Sequence, residues 1–91
     1  MDETPEARLK RLSMRSWRRG TKEMDLVFGP WSDAHLAGAD GATLDAYDRL
    51  LSENDQDLAS WIVGQTPPPA QHAPLLDRIA AYARTRLMRG G

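Results

Sequence analysis

The residue types that perform catalysis or hold metals are sparse in this chain and poorly spaced for that purpose. His35 and His72 lie in different segments, and neither belongs to a metal-binding spacing such as H-E-x-x-H, so we expect both at the surface or at helix ends. Asp55 and Asp57 have the carboxylates of a metal pair, but a position in the first turn of a helix explains them as capping residues. The absence of cysteine excludes thiolate nucleophiles and the usual cysteine-containing zinc sites. We therefore predict a protein that is not an enzyme and binds no metal or cofactor stably.

One short turn has a composition more typical of a binding surface than of a core. Its sequence is Trp17-Arg18-Arg19-Gly20-Thr21-Lys22-Glu23-Met24-Asp25. Gly20 permits the close approach of another backbone, and charged residues of both signs surround it within three positions. Trp and Arg are enriched at the hot spots of protein interfaces. We predict that the turn faces outward and presents Arg19, Gly20 and Glu23 to a partner protein. Trp17 fits a half-exposed position beside the turn and a buried position equally well.

The composition is that of one soluble globular domain. Hydrophobic residues make up 41% and charged residues 27% of the 91 residues, so neither disorder nor a membrane class is indicated. The longest apolar runs are far shorter than the roughly eighteen residues that a membrane span requires, and we expect no membrane insertion. Residues 1–6 resemble neither a secretory signal nor a mitochondrial presequence. We accordingly expect a cytoplasmic location in a reducing compartment.

The charges are distributed unevenly, although the net charge is only -1. Residues 1–23 have seven Lys or Arg and four Asp or Glu, residues 24–69 have one and eight, and residues 70–91 have four and one. A basic stripe follows one face of the first predicted helix at steps of three and four, and it consists of Arg8, Arg11, Arg15, Arg18 and Lys22. Such a stripe is usually a solvated face, and the alternative is that it docks on an acidic partner. A net charge near zero argues against a dedicated nucleic-acid-binding protein.

The hydrophobic pattern predicts about five short helices and no strand. These helices cover residues 5–19, 22–37, 42–52, 55–63 and 73–86. The predicted N-caps are Thr4, Thr21, Asp40 and Asn54, and Gly64 is the predicted stop of the fourth helix. We therefore predict an all-α fold, a small single-domain bundle over residues 1–91 that frays at 1–4 and 88–91.

Prolines interrupt this pattern at two places. Pro30, preceded by Gly29, falls inside the second helix and removes one backbone hydrogen bond. Because the apolar periodicity continues to Trp31, we predict one kinked helix, with a break as the alternative. Residues 65–72 contain three consecutive prolines and are predicted to be a stiff connector rather than an SH3-type ligand. Trp31 and Trp61 fall on apolar stripes and are predicted to be buried anchors.

The turn also resembles a known family signature. Arg19-Gly20-Thr21-Lys22-Glu23 is similar to the R-G-x-x-E motif of the SdhE-type succinate dehydrogenase assembly factors, small five-helix proteins that promote covalent attachment of FAD to the flavoprotein subunit. The similarity extends over about residues 8 to 69. It includes Arg11-Leu12, Leu26 through Trp31, Leu50-Leu51-Ser52-Glu53, Asp55, Asp57-Leu58 and Trp61-Ile62. Gly29 departs from the family pattern, because many relatives have a larger residue there.

The resemblance implies a monomer that binds the flavoprotein subunit of succinate dehydrogenase, or a related fumarate reductase-type flavoprotein, in a one-to-one complex. The partner-binding residues that it implies are Arg19, Gly20 and Glu23, with flanking contacts from Trp17, Arg18, Arg11 and Asp25. It places them near the FAD and the histidine that receives it, so that FAD is attached to the partner, and it implies the bacterial cytoplasm. Two other classes stay open at this point. They are a helical nucleic-acid-binding regulator that uses the first helix, and a structural subunit of the mature complex.

Overall fold

Five α-helices joined by short connections make up the computed structural model, which describes residues 3–88. The helices are α1 (Pro5–Trp17), α2 (Lys22–His35), α3 (Gly41–Leu51), α4 (Asp55–Val63) and α5 (Ala73–Met88), and a short 3-10 helix (Leu36–Gly38) follows α2. No strand occurs within residues 3–88, so the predicted all-α fold class is confirmed. None of these helices has both the length and the apolar content that crossing a membrane requires. The fraying predicted at residues 1–2 and 89–91 falls outside the described residues.

Local hydrogen bonds begin and end the helices as the sequence predicts. The side chains of Thr4, Thr21, Asp40 and Asn54 each accept a hydrogen bond from the backbone N–H three residues later, at 2.8 to 3.3 Å. Each such cap contributes about 1 kcal/mol to stability. Gly64 has a φ of 83° and ends α4 in the left-handed conformation, which glycine adopts without strain. The four predicted N-caps and the predicted stop of α4 are confirmed.

Two helices end two residues earlier than the periodicity predicts. α1 stops at Trp17 because Arg18 leaves the helical region, with a φ of -127° and a ψ of 47°. α2 stops at His35, where the 3-10 helix begins. Pro30 lies inside α2 without dividing it, so the prediction of one helix is confirmed. The early end of α1 leaves residues 18–21 free to form a turn that enters α2.

The core lies where α1, α2, α3 and α5 meet. Trp31 of α2 is 1% exposed, which confirms it as a buried anchor. Its ring centroid is 4.9 Å from that of Tyr47 on α3, and the ring of Phe28 lies 6.3 Å from the same tyrosine. The other buried members of the cluster are Leu12, Met24, Leu36, Leu50, Leu51, Leu58, Leu75, Leu76 and Ile79. Because a domain of this size buries only about 60 to 65% of its unfolded surface, these contacts carry much of its stability.

A pair of hydroxyl groups inside the core joins α1 to α3. The Tyr47 hydroxyl lies 2.6 Å from Ser16 Oγ, and Ser16 donates its own proton to the Leu12 carbonyl at 2.7 Å. The two hydroxyls are therefore hydrogen-bonded to each other, and neither buried oxygen is left without a partner. Burial raises the pKa of the Tyr47 hydroxyl, which keeps it neutral. The pair selects one placement of α1 on α3, since a shifted helix leaves a buried hydroxyl unpaired.

One of the two rings at the junction of α4 and α5 differs from its predicted position. Trp61 is only partly buried, and its ring lies 5.9 Å from that of His72. His72 directly precedes α5, but it is 3% exposed, with Nε2 2.8 Å from Glu53 Oε2. The prediction of a core Trp61 is therefore wrong, whereas His72 lies at a helix end, as predicted, and is buried there. Leu58 is the fully buried residue of α4, and periodicity alone does not show which member of an apolar stripe points to the centre of the core.

Acidic residues of α3 pair with most of the basic stripe on α1. Arg8 bonds Asp45, while Arg11 and Arg15 both reach Asp48, at 2.8 and 3.1 Å. The Arg11 guanidinium, hydrogen-bonded to Asp48, holds the pKa of that carboxyl below its ordinary value. For these three arginines the interpretation of the stripe as a simple solvated face is wrong, because each guanidinium bonds a carboxylate of α3.

The two tryptophans allow a direct comparison of full and partial burial. We expect Trp31→Ala to lower the free energy of unfolding by about 3 to 5 kcal/mol, because it removes an enclosed ring and leaves a cavity. Trp61→Ala is expected to cost less, because part of its ring already contacts water. Urea denaturation followed by far-UV circular dichroism measures both losses. Equal losses would contradict the difference in burial.

The ion pairs of Asp48 predict a pH dependence of stability. Its folded-state pKa lies below the unfolded value of about 4, so its contribution is fully present above that pH and disappears as the pH falls through the lower folded pKa. We expect Asp48→Asn to cost roughly 1 kcal/mol of unfolding free energy at neutral pH and less as the solution is acidified. Asp77→Asn on α5 is the control, since Asp77 has no ion pair among the described residues. A loss that does not change with pH in thermal unfolding would contradict this role.

Candidate functional site

The Arg19 side chain holds the turn at residues 18–21 from within the protein. Its guanidinium binds Asp55 at the start of α4, with Nε 2.9 Å from Oδ1. It also donates to the carbonyls of Leu51, the last residue of α3, and Glu53, at 2.6 and 2.9 Å. Only 9% of the side chain is exposed. The prediction that the turn presents this side chain outward is therefore wrong, because the unpaired carbonyls at the end of α3 and the Asp55 carboxylate bind it inside the chain.

Gly20 contacts the same carboxylate through its backbone. Its N–H donates to Asp55 Oδ2, and a Cβ at position 20 would lie 2.7 Å from that oxygen. Any side chain here forces the Asp55 carboxylate to shift. Gly20 does not have a positive φ, so close approach and not backbone conformation explains the glycine. The approaching group belongs to the chain itself, which corrects the expectation that a partner backbone is the reason for this residue.

A second carboxylate completes the turn. Asp25, in the first turn of α2, accepts the backbone N–H of Arg19 at 2.6 Å. Two successive N–H groups thus each donate to a carboxylate, that of Arg19 to Asp25 and that of Gly20 to Asp55. Charge-assisted hydrogen bonds of this kind are about twice as strong as neutral ones. The turn is therefore fixed by Asp25, which lies 6 positions after Arg19, and by Asp55, which lies 35 positions after Gly20.

The outer side of the turn consists of exposed charged groups. Arg18 and Lys22 are exposed on either side of Gly20, and Glu23 is exposed in the first turn of α2. None of these three side chains makes an ion pair with another described residue. A carboxylate at a helix N-terminus interacts favourably with the helix dipole, and the exposed Glu23 side chain is available to a cation or donor outside the chain.

Trp17 lies beside the turn with part of its ring covered and part in water. Its ring covers Gly29 of α2, where any Cβ would overlap the indole, and Nε1 donates to Asp33 at 3.2 Å. The side chain is still 41% exposed, so the half-exposed position is the one observed. Gly29 therefore makes room for Trp17, and α2 continues through it.

Arg11 is the predicted site residue that lies apart from the turn. It precedes Trp17 by almost two helical turns, and its guanidinium is shared between Glu3 and Asp48, at 2.8 Å from each. The structure groups the other six predicted residues at the turn: Trp17, Arg18, Arg19, Gly20, Glu23 and Asp25.

Asp55 is the site residue whose role the sequence does not reveal. Sequence patterns explain it as a capping residue of α4, whereas its carboxylate binds both Arg19 and Gly20. No local pattern connects residues that are 35 positions apart. The available signal is the charge distribution, because the basic segment 1–23 and the acidic segment 24–69 are expected to pair.

The site has the groups of a binding surface. Within residues 3–88 no cluster of three or more His, Asp or Glu side chains is placed to hold a metal ion. His35, the last residue of α2, is half-buried between Trp31 and Tyr82, with each ring centroid 5.0 Å away, so its predicted position at a helix end is confirmed. An ordered turn with exposed charges next to a half-exposed tryptophan is suited to recognition of a protein surface.

Two kinds of comparison with known proteins agree on the family. Residues 10–83 match the sequence model of a family described as "Flavinator of succinate dehydrogenase". The FAD assembly factor SdhE of Acetobacter pasteurianus is 34% identical over 86 residues, which cover 93% of this chain and 77% of that protein. The proteins called "Succinate dehydrogenase assembly factor 2, mitochondrial" in Mycosarcoma maydis and Cryptococcus neoformans are 37% and 33% identical over 78% and 81% of this chain, which spans only 30% and 43% of their lengths. Because the family match covers most of the sequence, the chain belongs to the flavinator of succinate dehydrogenase family, as its R-G-x-x-E motif indicates.

Proposed function

We propose that this protein binds the flavoprotein subunit of succinate dehydrogenase and promotes the covalent attachment of FAD to that subunit. Membership of the flavinator family supports this function. The structural observation that carries it is the turn at residues 18–21, which Asp25 and Asp55 fix while Arg18 and Glu23 stay exposed. A surface that is ordered before binding loses little conformational entropy when a partner docks on it.

The predicted site residues divide into two roles in this proposal. The contact surface consists of Trp17, Arg18, Gly20 and Glu23. Arg19 and Asp25 are positioning residues, because their hydrogen bonds fix the turn from within. Arg11 fastens α1 to α3 and borders the site. The turn can therefore recognise a partner without breaking the hydrogen bonds that fix it.

The covalent chemistry is assigned to the flavoprotein, and this chain acts as a monomeric assembly factor in a one-to-one complex. Glu23 offers a charged acceptor, Arg18 a planar set of donors, and Trp17 an amphipathic ring. These groups hold the flavoprotein in the arrangement in which its own residues react with FAD. FAD stays with the partner when the complex separates, and the assembly factor is expected to be absent from the mature enzyme, unlike a structural subunit.

The ion pairs of α1 weaken the alternative of a nucleic-acid-binding regulator. Binding along phosphates requires cations that are free to replace counterions. Arg8, Arg11 and Arg15 are bound to carboxylates of α3, and Arg19 is bound to Asp55. The proposal therefore includes no nucleic-acid partner.

Glu23→Ala tests the contact surface. We expect the variant to fold normally, because Glu23 is exposed, but to bind the flavoprotein subunit about 30-fold or more weakly, since truncating one partner of a desolvated charge pair costs roughly 2 to 5 kcal/mol. Titration calorimetry with the flavin-free subunit measures the affinity, and in-gel flavin fluorescence measures covalent FAD after co-expression. Glu6→Ala, in the exposed first turn of α1, is the matched control and should behave as the wild type. Unchanged affinity and full flavinylation in Glu23→Ala would exclude the turn as the site.

Asp55→Asn tests the support of the turn. The substitution removes the negative charge that both Arg19 and Gly20 contact, so we expect the free energy of unfolding to fall by roughly 3 kcal/mol. We also expect weaker flavoprotein binding, measured at a temperature where the variant is still folded. Gly20→Ala should act through the same contact, because its Cβ occupies the place of Asp55 Oδ2, and the double variant should lose less than the sum of the two single losses. Asp57→Asn is the control, because Asp57 lies in the same helical turn but bonds Asn54. Strict additivity of the two losses would contradict the shared contact.

A further inference from the structure

Three large apolar side chains are exposed along the seam between α1 and α2. Met14, Trp17 and Leu26 are 44%, 41% and 53% exposed. Met14 and Trp17 are three positions apart and share one side of α1. Leu26 shares a side of α2 with Gly29, the residue that the Trp17 ring covers. The three side chains therefore form one exposed apolar strip, called here the seam ridge.

Cations border the seam ridge on both helices. Lys10 and Arg18 lie one helical turn before and after Met14, and Lys22 lies one turn before Leu26. All three cations are exposed, and none makes an ion pair with another described residue. The arginines at positions 8, 11, 15 and 19 are instead bound to carboxylates of the chain. Of the seven cations in residues 8–22, the three that make no ion pair therefore border the ridge, together with the Asp33 carboxylate that accepts a hydrogen bond from Trp17.

A shallow groove of about 480 Å³ runs beside the ridge along α1. Its lining runs from Ala7 along α1 to Arg18 and Arg19 of the turn, and Met14 lies near its middle. Long cationic side chains, including Lys10 and Arg18, supply most of the rest of the lining. Such side chains combine an apolar stem with a charged end, so the groove suits an apolar side chain that is flanked by acidic ones.

We propose that the seam ridge and its groove bind an acidic segment of the flavoprotein subunit that carries a large apolar side chain. The inference rests on the proposed function and extends its site to four further residues: Lys10, Met14, Lys22 and Leu26. Charge complementarity selects the chemistry of the segment, because three unpaired cations around an apolar strip favour Asp and Glu around an apolar anchor. The flavoprotein subunit is the protein that supplies this segment, because Trp17 and Arg18 belong both to this face and to the turn that it binds in the proposed function.

Two other occupants fit this face less well. A second copy of the chain in a two-fold contact brings the same unpaired cations face to face, which is repulsive. An anionic lipid surface attracts each nearby cation by about 1 kcal/mol. The exposed Glu23 carboxylate next to the turn repels a uniformly anionic surface, whereas a protein partner can place acidic residues at the ridge and a cation or a donor opposite Glu23.

Met14→Glu tests the ridge, because it removes the apolar contact and places a carboxylate opposite the acidic segment. We expect the Kd for the purified flavin-free flavoprotein subunit to rise about tenfold or more, with an unchanged circular dichroism spectrum and melting temperature. Val63→Glu on α4 is the matched control, because Val63 is 68% exposed outside the ridge, and it should leave the Kd unchanged. Leu26→Ser is a second ridge variant and gives the same test if Met14→Glu does not fold.

The two lysines of the chain, Lys10 and Lys22, both lie on this face, which permits a direct test of what contacts them. A zero-length carbodiimide reagent joins an amine to a carboxylate that touches it, with loss of water. We expect the reagent to couple Lys10 to an Asp or Glu of the flavoprotein subunit, identified by peptide mass spectrometry. Lys10→Arg keeps the positive charge and removes the amine, so this coupling should vanish.

The outcomes separate this inference from the proposed function. If Met14→Glu and Leu26→Ser bind the flavoprotein as the wild type does while Glu23→Ala does not, the seam ridge is not a docking site and the proposed function stands. If the wild type itself does not bind the flavoprotein subunit, both fail. Two further results would overturn the inference in favour of a lipid surface or a second copy. The first is binding of the wild type to phosphatidylglycerol vesicles, and the second is a wild-type dimer in sedimentation. In each case Met14→Glu would abolish that interaction and leave flavoprotein binding unchanged.

Discussion

The carboxylate of Asp55 is the contact on which the rest of the site depends. One of its oxygens binds the Arg19 guanidinium and the other accepts the N–H of Gly20, while Arg19 also satisfies the carbonyls of Leu51 and Glu53. One set of bonds therefore holds the α1–α2 turn and the α3–α4 junction together. The Arg19 and Asp55 side chains are only 9% and 16% exposed, so removing either partner leaves a charge unpaired where little water can reach it.

The same set of contacts reaches α5 through residue 53. The backbone carbonyl of Glu53 accepts from Arg19, and its carboxylate lies 2.8 Å from Nε2 of His72, which directly precedes α5. His72 also lies against the Trp61 ring, so α4 and α5 meet at this imidazole. The turn is thus hydrogen-bonded to residues of α2, α3 and α4, and it is linked to the start of α5 through Glu53 and His72. This connection explains how a chain of 91 residues without a disulfide presents a short turn in one conformation.

Sequence patterns predict the features that depend on near neighbours and miss those that depend on distant ones. N-caps such as Thr4 and Asn54 act within three positions, so adjacent residues are enough to recognise them. The roles of Asp55 and His72 and the partial exposure of Trp61 depend on how α4 and α5 pack, which a periodic pattern does not encode. The basic stripe is misinterpreted for the same reason, since its acidic partners on α3 lie 33 to 37 positions away.

Gly29 shows how a residue inside a helix shapes the exposed surface. A glycine within a helix costs about 1 kcal/mol relative to alanine. Pro30, which follows it, removes one backbone hydrogen bond, so helix formation alone disfavours this pair. The Trp17 ring occupies the space that a Cβ at position 29 would need. A side chain at position 29 and Trp17 in its observed place are therefore mutually exclusive. The glycine weakens α2 locally, but it leaves the space in which the Trp17 ring packs against α2. This packing lies on the face that recognises the flavoprotein in the proposed function.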